Sequence, residues 1–304
     1  MIIHNTGKII EDLYTIYSPD LPIYLLDGEK PAIFDAGFSF LGQKYVEEIK
    51  KILGTREPYY CFLSHSHFDH CGAVAILKEN FPSMKIVASR RAKETLGRPN
   101  AISLIEKLSS ESECMADKFG LKEIPPDSFK PFAVDITVSE GDILRISDDV
   151  TVRVIETPGH TRDFLTYYIP EKKVLLPSEA AGLPDESGYI HTMFLVDYDM
   201  YLDSIKKLCA LDTDVICFGH YLVYTDDDAG YYLENSISQC DSFLKQIKKF
   251  LIEENGDPAR VRDRIKSIEY DGKTGIVQPE PAYLLNLEAS INVVIKKIEK
   301  ESCI

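Results

Sequence analysis

Of the seven histidines in this chain, three fall within the run His65-Ser66-His67-Phe68-Asp69-His70, which also carries a carboxylate. Neutral imidazole and carboxylate are preferred ligands of zinc and similar first-row cations, and a catalytic site offers few enough of them to leave a position for water. A polar turn rich in histidine by chance gives no reason for so dense a cluster. On a loop that follows a strand, side chains at i, i+2, i+4 and i+5 can turn toward two different cations, which a continuous helix cannot arrange. Two more histidines follow strand-like stretches: His160 in Thr157-Pro158-Gly159-His160-Thr161, and His220 in Phe218-Gly219-His220. Either one alone reads more naturally as structural, and each gains weight from standing beside the run.

The elements that must position these groups alternate in type. Strand signals at Leu13–Tyr17, Ile23–Leu26 and Ala32–Phe34 lead into the turn Asp35-Ala36-Gly37. Apolar spacing predicts a helix over 43–53, then a buried strand over 60–63 that ends where the histidine run begins. A helix over 72–79 and a strand over 85–88 follow, the alternation of a layered α/β chain. The stretch 89–127 is helical and polar in character, ends in Pro125-Pro126, and reads as an insertion that shapes a pocket. Strands are expected again over 133–138, 143–146, 150–156, 165–169, 173–176 and 215–218, with a helix capped by Asp199 and running through Leu208 before the last. Beyond about residue 229 only helical spacing remains, interrupted at Glu254-Asn255-Gly256-Asp257-Pro258 and resumed from Pro281. The expected organisation is a catalytic unit over 1–228 and a helical segment over 229–304 that covers the site.

The complete His-x-His-x-Asp-His motif at His65, His67, Asp69 and His70 resembles that of the metallo-β-lactamase superfamily, and the resemblance extends over about residues 12–222. It implies an α/β chain with the four-layer αββα fold, here with an added C-terminal helical segment. Asp35-Ala36-Gly37 matches the family's early Asp-x-Gly turn. The resemblance further implies two divalent metal ions, zinc first, with iron or manganese as alternatives. One would be held by His65, His67 and His160, the other by Asp69, His70 and His220. Where the family carries a bridging aspartate in a Gly-Asp pair, this chain has Ser178-Glu179, so Glu179 is read as a ligand with an extra methylene and torsion. In layout, with Cys71-Gly72 after the motif and an all-helical end, the chain is similar to the quinolone-signal response thioesterase and its relatives.

The chemistry implied is hydrolysis of a small thioester, ester or lactone by a metal-bound hydroxide. Paired cations lower the pKa of the parent water from about 15.7 to roughly 7, and Asp69 would orient the nucleophile and carry a proton. Asp35 is read as a partner of a ligating histidine, or as a turn residue. A di-iron redox enzyme usually has glutamate where His67 stands. A metal-binding regulatory protein with incidental turnover is the third reading, kept open by Glu179.

Composition narrows the partners. A formal net charge of −15, with no Lys/Arg cluster interleaved with aromatics, disfavours nucleic acid and leaves a small-molecule substrate. Seven scattered cysteines without a Cys-x-x-Cys pair suit neither a disulfide framework nor a thiolate zinc site. No apolar run approaches the roughly 20 residues that span a bilayer, and the first residues do not read as a secretory signal, so the cytoplasm is expected. An apolar stripe on the C-terminal helices would suit a homodimer. Weaker candidates are Arg162 for an anionic substrate group and Tyr221 and Tyr224 for the pocket wall. His4 and His191 read as structural or surface, and Ser66 has no spare histidine to activate it.

Overall fold

Ile23–Leu26 and Val174–Leu176 are apolar at every position because each strand is packed on both faces. In the first, Ile23 and Leu25 face one apolar cluster while Tyr24 and Leu26 face another. In the second, Val174 and Leu176 join Tyr24 and Leu26, and Leu175 faces the opposite way. The two strands belong to different sheets whose inner faces share one core. The computed structural model describes residues 1–3, 5–17, 20–123, 129–185, 187–220, 223–272 and 278–302.

One seven-stranded sheet is ordered Gly7–Ile10, Leu13–Ile16, Ile23–Leu26, Ala32–Phe34, Tyr60–Phe62, Lys85–Ser89, Ile136–Val138. The other, also seven-stranded, is ordered Ile2–Ile3, Val223–Thr225, Val215–Cys217, Val174–Leu176, Leu165–Ile169, Thr151–Glu156, Ile143–Arg145. The outer face of the first is covered by the helices Gly42–Leu53 and Val74–Asn80, through Tyr45, Val46, Ile49, Ile76 and Leu77. The outer face of the second is covered by Leu208 of the helix Tyr198–Cys209 and by Ala229, Tyr232 and Leu233 of the helix Asp227–Glu253. The chain is therefore a helix–sheet–sheet–helix sandwich, the four-layer αββα arrangement, with helices added at its C-terminal end.

Those added helices are Asp227–Glu253, Pro258–Glu269 and Glu280–Ser302. Asp257 caps the second, its carboxylate accepting from the amides of Ala259 and Arg260. Cys240, Leu244, Ile247, Leu251, Leu287, Ile291 and Val294 bury their apolar stripe against Tyr198, Tyr201 and Ile205 of the Tyr198–Cys209 helix. No helix among the described residues is long and apolar enough to cross a membrane.

Several boundaries differ from the sequence reading. The Tyr198–Cys209 helix is capped by Asp197, which is extended and accepts from Met200 N, so Asp199 lies inside the first turn. The strand expected over 133–138 is confined to Ile136–Val138, and the helix expected over 72–79 runs from Val74 to Asn80, with a separate short helix, Phe68–Cys71, before it. The edge strands Ile2–Ile3 and Gly7–Ile10, the inner strand Val223–Thr225 and the hairpin Leu183–Pro184 with Ile190–His191 were not foreseen. Pro125 and Pro126, at the end of the stretch read as an insertion, lie outside the described residues; before them the chain forms the helices Arg90–Leu96 and Pro99–Ser112.

Candidate metal centre

Parallel pairing carries the site residues to one edge. Ala32–Phe34 and Tyr60–Phe62 run side by side with Phe34 opposite Phe62, so Asp35 and the histidine run leave their strands at the same end. In the other sheet Val174–Leu176 is parallel to Val215–Cys217 with Val174 opposite Val215, and Glu179 and His220 emerge equally far beyond that pair. His160 sits in the turn joining the antiparallel strands Thr151–Glu156 and Leu165–Ile169. Gly159 makes that turn at φ 137°, where a Cβ would come within 2.4 Å of the Tyr201 Cα. Two buried tyrosines tie the sheets together at this edge. Tyr24 donates to Phe218 O at 2.6 Å, beside His220, and Tyr167 donates to Leu63 O at 2.7 Å, beside His65.

The run itself is half loop and half helix, a correction to its reading as loop throughout. His67 is extended (φ −71°, ψ 150°) and precedes the short helix Phe68–Cys71 that carries Asp69 and His70. The abrupt change at His67 sends the two halves of the run in different directions. Asp163 holds the loop half, accepting from Ser66 N at 3.1 Å.

The structure brings these side chains into three overlapping groups whose ligand atoms lie within 4.8 Å of one another: His65, His67 and His160; Asp69, His70 and His220; and His65, His70 and Glu179. All are buried except half-buried His67. His67 Nδ1 and His160 Nε2 are 3.2 Å apart. Asp69 Oδ2 lies 3.6 Å from His220 Nε2 and 3.9 Å from His70 Nε2. Ligands about 2.0–2.1 Å from a tetrahedral ion stand about 3.4 Å from each other, so both sets fit a first-row cation. His65 Nε2, Asp69 Oδ2 and His70 Nε2 are buried without a properly directed hydrogen bond, a costly arrangement that a cation would satisfy. Glu179 groups with one member of each set, His65 and His70, and its Oε1 lies against the second set, 2.6 Å from His70 Nε2 and 2.9 Å from His220 Nε2.

Ring orientation is set from behind. Asp35, at φ 61°, accepts from Ser64 N at 2.8 Å and from Ser64 Oγ at 2.9 Å, and pairs with His70 Nδ1 at 2.9 Å. Ser64 Oγ lies 2.9 Å from His65 Nδ1. With its hydrogen committed to Asp35, the serine accepts from His65, so both histidines keep their protons on Nδ1 and present Nε2 lone pairs to the centre. His160 is held likewise, its Nδ1 donating to Met193 O at 2.9 Å.

Burial, reinforced by neighbouring imidazoles, drives His65 well below its usual pKa, lowers His67, and brings His160 down to about 4. These rings are therefore neutral at pH 7, the form that binds metal. Burial also opposes charge on His70, but Glu179, Asp35 and Asp69 outweigh it and raise that imidazole well above its usual range. Against its own burial, Glu179 is held well below the carboxylate range by the His70 and His65 rings and by a hydrogen bond from His220. A divalent cation takes the place of the proton in such a cage of negative oxygens and ring nitrogens.

The sequence reading missed Ser64, Asp163, Ser178, the Met193 carbonyl and Tyr201, whose hydroxyl donates to Glu179 O at 2.7 Å. Ser64 and Asp163 stand next to ligand segments, which was the one available signal. Tyr224, considered for the pocket wall, is buried against Phe218 and Tyr232 instead. Arg162 is exposed, and His191 is partly buried against Asp185 at 3.3 Å. Tyr221 and His4 lie outside the described residues.

Comparison with known proteins places this geometry. A family profile described as "Metallo-beta-lactamase superfamily" matches residues 22–220. Hydroxyacylglutathione hydrolase GloC of Haemophilus influenzae is 31% identical over 202 residues, covering 66% of this chain and 83% of that protein. Hydroxyacylglutathione hydrolase of Chelativorans sp. is 30% identical over 141 residues, covering 44% of this chain and 51% of that protein. The chain thus spans about half the length of some of the curated relatives it matches. Among solved structures, a metallo-beta-lactamase family protein from Thermus thermophilus superposes with a TM-score of 0.65 at 16% identity, over 96% of this chain and 95% of that one. Profile, relatives and four-layer architecture agree, and the chain belongs to the metallo-beta-lactamase superfamily.

Proposed function

We propose that this member of the superfamily is a dinuclear metal-dependent hydrolase of small acyl thioesters. The observation that carries the reading is the pair of ligand sets, His65/His67/His160 and Asp69/His70/His220, with the Glu179 carboxylate between them. The thioester class draws on the hydroxyacylglutathione hydrolases among the relatives.

Bound divalent cations supply Lewis acidity and a water acidic enough to yield a nucleophile near neutral pH. The chain's own groups do the rest. Neutral His65, His67 and His160 present lone pairs, with His65 and His160 oriented by Ser64 and Met193 O. Asp69 Oδ2, buried and without a hydrogen-bond partner, is the group that orients the nucleophile and passes a proton to the leaving thiolate. Burial of the cage keeps bulk water from competing with these contacts. In the same reading the helices Asp227–Glu253, Pro258–Glu269 and Glu280–Ser302 wall the site. Ala282 is buried in the apolar cluster that contains Phe68 of the ligand run.

The test is a substrate panel of acyl-glutathione and acyl-coenzyme A thioesters, aryl esters, lactones and phosphodiesters. It is run on chelated protein, zinc- or manganese-reloaded protein, and a His67→Ala variant. Thioesters should be turned over fastest, only by reloaded protein, and at least 100-fold faster than by the variant. A thioester rate equal to that of His67→Ala would sink the proposal.

A further inference from the structure

Ser178 stands where a side chain is disfavoured and still carries one. Its φ is 48°, in the left-handed region that glycine enters freely and serine does not. It is buried, at 4% exposure, and its hydroxyl donates to Oε2 of the next residue, Glu179, at 2.7 Å. Ser178 Oγ is also 3.5 Å from Asp35 Oδ2 and 3.5 Å from His70 Nδ1. Gly219 closes the other side, for a Cβ there would come within 2.4 Å of Ser178 Oγ and 2.9 Å of His70 Cε1. The hydroxyl therefore occupies a slot bounded by Glu179, Asp35, His70 and the Gly219 backbone.

The slot matters because glutamate has a torsion that aspartate lacks. An unrestrained Glu179 carboxylate could swing, exchange its oxygens, or chelate one cation through both. With Oε2 held by Ser178, Oε1 alone is directed at His70 Nε2 and His220 Nε2. We propose that Ser178 is a positioning residue that fixes the Glu179 rotamer, so that one carboxylate oxygen serves the Asp69/His70/His220 set while the hydroxyl retains the other. The strained backbone is the cost of placing that hydroxyl. This rests on the reading of Glu179 as a metal ligand.

Ser178→Gly separates positioning from simple packing, since glycine relieves the backbone and removes the hydroxyl together. Zinc affinity is read by competition with a chromophoric chelator, and fold by thermal unfolding of the chelated protein. The expected result is a metal-free protein as stable as wild type or more so, with one of the two zincs bound about tenfold less tightly and the other unchanged. The double variant Ser178→Gly/Glu179→Asp should regain most of the lost affinity, because the shorter side chain no longer has the torsion to be restrained. Wild-type affinity for both zincs in Ser178→Gly, or strictly additive losses in the double variant, overturns the positioning role. Glu179→Gln with both zincs bound as in wild type would instead overturn the ligand reading on which the proposal stands.

Discussion

Replacing Asp35 by asparagine changes one atom and tests the logic of the whole centre. The backbone tolerates it, since asparagine enters the left-handed region about as readily as aspartate and Asp35 sits at φ 61°. With the amide oxygen kept on Ser64 N, the amide nitrogen takes the place of Oδ2, which now faces His70 Nδ1 and Ser64 Oγ, each at 2.9 Å. Donor then meets donor at His70, and relief requires the ring to move its proton to Nε2, the atom that must face the cation. Ser64 can no longer donate to residue 35, so it donates to His65 Nδ1 instead, and that ring also protonates Nε2. One substitution thus inverts a histidine in each ligand set. Loss of such an outer partner weakens metal binding by about 10- to 100-fold, or about 1.4–2.7 kcal/mol per ion. Zinc competition titrations on Asp35→Asn should show both ions weakened by that factor, with the metal-free variant still folded by circular dichroism. Both affinities within threefold of wild type would refute the tautomer argument.

Four other outcomes follow from the structure. His160, buried and beside His67, has its pKa lowered to about 4 from an unfolded value of about 6.5. As pH falls the unfolded chain gains that proton first, so chelated protein should lose up to about 3 kcal/mol between about pH 6.5 and 4 from this group. Urea melts of wild type and His160→Asn at both pH values measure it, and equal pH slopes would exclude the effect. Gly219→Ala drives a Cβ against Ser178 Oγ and His70 Cε1, and should lower zinc affinity at least tenfold. Gly230→Ala, in open space on a helix, should raise stability by about 0.5–1 kcal/mol with zinc binding unaltered. Tyr201→Phe removes one of two donors to the buried Glu179 carbonyl, the other being Gly182 N at 3.1 Å, and should cost about 0.5–1.5 kcal/mol of stability in urea.

Much of this was legible in the chain because metal ligation compresses chemistry into local sequence. The His65–His70 run needs no tertiary context to be noticed, and the fully apolar stretches Ile23–Leu26 and Val174–Leu176 announce strands packed on both faces. What escaped depends on contacts between distant segments. Ser64 is one serine among many until Asp35 and His65 close on it. Ser178 is unremarked without its positive φ, which no sequence pattern encodes. Asp197 and Asp199 are equally good caps on paper, and only the extended backbone at Asp197 decides between them. Val223–Thr225 is a short strand held between Val215–Cys217 and the edge strand Ile2–Ile3, a register no local periodicity reports.

The stretch from Glu179 to Met193 is anchored at both ends to different ligand sets. Glu179 meets His70 and His220, and the Met193 carbonyl holds His160. Between them the Leu183–His191 hairpin is stitched to the C-terminal helices by Tyr189, whose hydroxyl donates to Glu269 at 2.7 Å. Ordering one end of a tethered segment removes part of the entropy that the other end would otherwise lose. In the proposed dinuclear centre the two ions would thereby be linked thermodynamically: uptake of the first should favour uptake of the second, and by reciprocity removal of either should loosen its companion. A centre of that kind would load as a pair over a narrow range of free metal, so its activity would follow metal supply more as a threshold than as a graded response.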